Sequence, residues 1–116
     1  MIPPMARVLI AEPSADVRAL LERAVRRLGH EPVVHQRQAD ERRADADVLL
    51  LEPAFNGGVE LARTLREDRP RLAIVICSIF PPSPELSELS PVAHVLKPFQ
   101  RDALEHALTA AVASTS

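Results

Sequence analysis

The chain has 116 residues, 47% hydrophobic and 26% charged, which fits one globular domain and excludes disordered or collagen-like classes. With 14 basic against 16 acidic residues, a net charge of −2, and neither Trp nor Tyr, it lacks both the basic excess and the aromatic platforms that mark nucleic-acid binders. One cysteine, Cys77, excludes an internal disulfide framework, and no apolar run reaches the ~20 residues of a membrane span.

The opening MIPPMARVLI carries no charged region ahead of a signal-peptide apolar stretch, so the expected compartment is the cytoplasm. Arg7–Ala11 (RVLIA) reads as a buried strand closed by Pro13. A helix follows, with Ser14 as its N-cap, Asp16 in its first turn and Gly29 just past its end. Val17, Leu20, Leu21, Ala24, Val25 and Leu28 form its apolar stripe, and the arginines opposite form a solvated face. Pro32–His35 is a short strand, and Gln36–Asp47 is expected to be a weak helix. Val48–Leu51 (VLLL) reads as a central strand buried on both faces. A helix over Gly58–Asp68, a strand over Leu72–Cys77 and about two turns of helix at Pro84–Leu89 come next. A strand over Val92–Leu96 and a helix over Phe99–Val112 complete the chain.

Five alternations of strand and helix predict a parallel sheet covered on both faces, with chemistry collected at the carboxyl ends of the strands. Glu12 and Pro13 follow the first strand, Glu52 the third, Ser78 the fourth, and Lys97 with Pro98 the fifth. Taken alone, Glu12 reads as a solvated loop carboxylate. Glu52 ends a wholly apolar strand, so it needs water or a partner. Lys97 is the only lysine beside 13 arginines, which hints that a compact ammonium is needed there. Ser78 reads as a strand-end hydroxyl bonded to backbone, His94 as a half-buried packing residue and Cys77 as an inert core thiol. His30 and His35 lack the clustered ligands of a zinc site.

The series strand–acid, strand–acid, strand–hydroxyl, strand–Lys-Pro-Phe resembles the receiver domain of two-component response regulators. The matches are VLIAEPSADVRALLERAVRRLGHEP, DVLLLEP and VLKPF, and the resemblance covers residues 6–113 as one domain. It implies a flavodoxin-like, doubly wound five-stranded parallel sheet in the order 2-1-3-4-5. It places Glu52 at the phosphoacceptor position and assigns the phosphate-contact and switch positions to Ser78, Lys97 and His94. The metal position falls to Glu12, Glu52 and the Ala54 carbonyl, with Pro13 where the family has a second acidic ligand. Several residues depart from the pattern. Proline offers Mg²⁺ no oxygen, glutamate is longer than aspartate by ~1.5 Å, and His94 replaces an aromatic.

These departures make the expected function that of an atypical receiver: a non-enzymatic signalling and protein-interaction module, not phosphorylated in the usual way. No cofactor is expected, and Mg²⁺ only weakly. Lys97 is expected to pair with Glu52, with Ser78 adding a hydrogen bond to the same carboxylate. The implied partners are proteins, a histidine kinase or an output protein, with a homodimer as one arrangement; neither nucleic acid nor membrane is expected. Phe80 and His94 are placed near an interaction surface, the alternative being that Phe80 caps the core. A working phosphoacceptor using Mg²⁺ with Glu52 is the second reading. A flavodoxin-like nucleotide- or flavin-binding protein is the third, disfavoured because Glu12 would repel phosphate.

Overall fold

A computed structural model describes residues 5–35 and 45–115. The elements in chain order are β1 (Arg7–Ala11), α1 (Ala15–Arg27), β2 (Glu31–Val34), β3 (Val48–Leu51), α2 (Gly58–Asp68), β4 (Ala73–Ser78), α3 (Pro84–Ser87), β5 (Ala93–Leu96) and α4 (Arg101–Ser114). The five strands form one sheet in the order β2-β1-β3-β4-β5, and every neighbouring pair is parallel. The weak helix expected over Gln36–Asp47 falls mainly on residues 36–44, outside the described residues.

Alternation along the strands sorts the core into two layers. Val8, Ile10, Val48, Leu50, Val75 and Val95 face α1 and α4, packing on Leu21, Val25, Leu104 and Leu108. Leu9, Leu49, Leu51, Ile74 and Ile76 face the other way, onto Leu61 and Leu65 of α2 and Leu86 of α3. β3 lies between two strands and two helical layers, so all four of its residues are buried. That burial is why VLLL is continuously apolar rather than alternating.

The helix ends follow from local chemistry. Ser14 Oγ accepts from the Val17 amide, capping α1, and Gly29 at φ +87° closes it by donating to Arg26 O at 2.9 Å. α2 starts at Gly58, where a side chain's Cβ would lie 2.7 Å from Leu51 Cδ1. A glycine is needed there because the buried leucine of β3 already fills the space. Two expectations are corrected. α3 is a single turn of four residues, Pro84–Ser87, rather than two turns. α4 begins at Arg101 rather than Phe99, because Gln100, the N-cap, is extended. A one-turn α3 leaves the flank of β4 and β5 thinly covered, and Ile79, Phe80, Val92 and Leu96 are all exposed there.

Candidate functional site: a carboxylate–lysine cluster at the carboxyl edge of the sheet

The parallel register carries the ends of β1, β3 and β5 to one edge of the sheet. The Glu52 amide donates to Ala11 O at 3.0 Å, so β3 runs one residue alongside the end of β1. The Lys97 amide donates to Ser78 O at 2.8 Å and holds the end of β5 against β4. This backbone frame fixes three charged side chains on one point. Lys97 Nζ lies 2.7 Å from Glu12 Oε1 and 2.7 Å from Glu52 Oε1.

The second oxygen of each carboxylate is also taken, in each case by a backbone amide two residues on. Ser14 N donates to Glu12 Oε2 at 3.1 Å, and Ala54 N donates to Glu52 Oε2 at 2.9 Å. The Glu12 contact lies at the N-terminus of the 13-residue α1, where orphan N–H groups favour an anion. Glu12 and Glu52 are buried, at 2% and 9% relative exposure, so their charges meet little water and their partners must satisfy them. Burial, the largest single influence on Lys97, disfavours its ammonium. The hydrogen bonds and charges of Glu12 and Glu52 together outweigh it and raise the lysine's pKa above its ordinary value. Beneath the cluster, burial pushes the Cys77 thiol up to about 12, which keeps it protonated and unreactive.

Each predicted position can be placed. Glu12, read from its residue type alone as a solvated loop carboxylate, is instead buried and ion-paired. Pro13 is exposed and supplies no side-chain oxygen. Ala54 enters the cluster through its amide. Ser78 departs from its expected bond to Glu52. Its buried Oγ accepts from the Phe80 amide at 3.0 Å, because β4 turns sharply there and leaves that N–H without a ladder partner. His94 is half-buried and bonds Phe80 O through Nε2 at 2.9 Å. Phe80 does not cap the core; it is 67% exposed.

One residue of the site escaped the sequence reading. Arg18, grouped with the solvated face of α1, sends Nη1 back to Glu12 O at 3.1 Å and Pro13 O at 3.5 Å. Helical side chains lean toward the N-terminus, so a long cation in the second turn reaches the loop before the helix. That direction was the available signal.

The residues present do not suit a divalent metal. Mg²⁺ wants several hard oxygens in octahedral array, and here an ammonium already lies between the two carboxylates while Pro13 contributes nothing. Among the described residues no group of three or more His, Cys, Asp or Glu side chains is arranged to hold a metal ion. Nor is any helix among them long and apolar enough to cross a membrane.

Comparison with known proteins locates this geometry. No protein-family model matches the chain, and no curated protein matches it in sequence. Solved structures do. NtrX from Brucella abortus, solved in complex with ADP, superposes with a TM-score of 0.82 at 19% identity over 97% of this chain. The chain spans 27% of that protein's length. The chemotaxis response regulator CheY4 of Vibrio cholerae gives 0.79 at 18% identity, covering 93% of this chain and 99% of the other. A response regulator from Thermotoga maritima gives 0.76 at 20% identity, covering 95% and 99%. The chain therefore has the fold of response-regulator receiver domains, with its carboxylate–lysine cluster at the carboxyl edge of that fold's sheet.

Proposed function

We propose that the protein is an atypical receiver: a signalling module that works through protein contacts and takes no phosphoryl group on Glu52. The observation that carries this reading is the position of the Glu52 carboxylate. A phosphoryl group on an acidic residue here would need nearby donors for its oxygens. The donors at hand are the Lys97 ammonium and the Ala54 amide, and Glu52 engages both at 2.7 and 2.9 Å. Its carboxylate thus occupies the place of the group that would otherwise be added. With Lys97 held by two carboxylates and no second acidic residue at Pro13, nothing draws a metal ion in to neutralise an incoming phosphodonor. The site is locked in one charge state, and its partner is a protein rather than a nucleic acid or a membrane.

The test is incubation with acetyl phosphate and Mg²⁺ followed by intact-mass measurement. No adduct is expected on the wild type. A stoichiometric, hydroxylamine-labile phosphoryl adduct mapped to Glu52 would overturn the reading and make the protein a working phosphoacceptor.

A further inference from the structure

The segment that joins β4 to α3 reads Ile79, Phe80, Pro81, Pro82, Ser83, Pro84, the last being the first residue of α3. Five of these six residues are apolar and all five are exposed, Ile79 and Phe80 at 63% and 67%. A continuous run of exposed apolar side chains marks a surface that meets another molecule. Covalent geometry fixes the shape of the run. Each proline locks its own φ at about −65°, and each residue before a proline is pushed out of the helical region, which restrains every residue from Phe80 to Pro84. Ser83 is accordingly extended, with φ −126° and ψ 159°. The conformation left to such a run is a polyproline II helix. Its turn takes about three residues, so Pro81 and Pro84 present their rings on one side and Pro82 on another.

The same residues decide what can cover them. Pro81, Pro82 and Pro84 carry no N–H, so an added β-strand would find no donors there. Among the described residues nothing donates to the Pro81 or Pro82 carbonyl, and both remain free to accept. What fits is a groove of aromatic rings that packs on the proline rings and donates to those carbonyls, as an indole N–H or a phenol O–H does. A second copy of this chain cannot supply it, because the chain has no Trp and no Tyr. A run already held extended loses little freedom on docking. We propose that residues 80–84 are a polyproline II docking segment for a partner protein that bears a Trp- or Tyr-lined groove. This rests on the functional reading above, a module that works through protein contacts, and names the kind of partner.

The test is an NMR titration of the full chain with a purified WW domain and a purified SH3 domain, two unrelated folds with grooves of this kind. At least one of them should move the Ile79, Phe80 and Ser83 amides saturably while the β1 and β3 amides stay in place. Pro81→Ala and Pro84→Ala should each weaken that binding about tenfold, and Pro82→Ala less than about threefold. Unmoved β1 and β3 amides establish that each variant is folded; should Pro84→Ala disturb them, Pro81→Ala against Pro82→Ala decides. The absence of a saturable shift with either domain overturns the proposal, as do equal losses in the proline variants. Concentration-dependent shifts of the same amides in the chain alone also overturn it, since a second copy would then be the occupant. Incubation with acetyl phosphate keeps the two readings apart. A phosphoryl adduct on Glu52 in a chain that still binds the domain defeats the locked site and leaves the docking segment, and the absence of both adduct and binding does the reverse.

Discussion

The carboxyl edge of the sheet and its β4–β5 flank are adjacent, yet they are built on opposite terms. At the edge, charge is buried and every carboxylate oxygen of Glu12 and Glu52 has a partner. On the flank, apolar side chains stand in water and only backbone atoms are held. The first pairs one ammonium with two carboxylates and keeps a net charge of −1, while the second holds its backbone by hydrogen bonds of its own. The difference makes the edge a buried ionic element and the flank an exposed apolar surface.

The sharpest way to break that contrast is to remove the shared cation. Lys97→Met leaves two buried carboxylates facing each other, and losing one member of a buried ionic group typically costs about 3–5 kcal/mol. Urea denaturation at neutral pH should show a loss of that size, whereas a loss below about 1 kcal/mol would mean that water replaces the ammonium and that the edge is open. Alkaline pH gives a second reading. The Lys97 pKa is raised in the folded protein, so its contribution is complete below the ordinary lysine value of 10.5 and is lost as pH rises through the higher folded value. Cys77 adds to the same decline. An unfolded thiol releases its proton at 9.0 and the folded one only at about 12, so stability falls between them. Cys77→Ala should remove the part of the decline that begins near the lower value, and Lys97→Met the part that begins later.

A smaller effect tests the floor under the edge. Gly58→Ala would bring a Cβ to 2.7 Å from Leu51 Cδ1, and Leu51 is fully buried directly before Glu52. Overpacking of this kind costs about 1–3 kcal/mol. A thermal melt of Gly58→Ala should fall accordingly, and restoration by Leu51→Val would show that the clash, rather than helix propensity, is responsible.

How much of this could be read beforehand differs between the regions for a physical reason. The strands, their parallel pairing and the Glu52–Lys97 pair were legible, because short apolar runs ending in a charge mark both burial and the edge where charges must gather; that Glu12 is buried in the same cluster was not, since a carboxylate in a loop before a helix reads as solvated. Lys97 stood out as the single lysine among arginines. The flank was not legible. Whether Phe80 packs or protrudes depends on the length of α3, and a Pro-rich run with three serines does not reveal that its helix stops after four residues. Ser78 was read two ways, as a hydroxyl bonded to backbone and as a donor to Glu52, because a strand-end hydroxyl has two claimants, an amide two residues on and a side chain across the sheet. Local geometry favoured the amide. Arg18 was missed because periodicity assigns a residue to a helix face without saying how far its side chain reaches back.

The smallest expected effect is the one that most directly separates edge from flank. If Phe80 were part of the core, Phe80→Ser would cost about 3–5 kcal/mol, as large aromatic truncations do. At 67% exposure, with its hold on the protein made through its own N–H and C=O, the side chain contributes little to folding. The substitution leaves both backbone bonds possible, so stability should change by no more than about 0.5 kcal/mol. The comparison variant is Leu86→Ala, six residues on in α3, which is buried against the α2-side layer and should lose about 2–5 kcal/mol. Equal losses in the two variants would show that the flank is closed core rather than exposed surface. A silent Phe80→Ser beside a damaging Leu86→Ala would show that the apolar side chain stands in water for a reason other than folding, because nothing in the stability of the chain requires it.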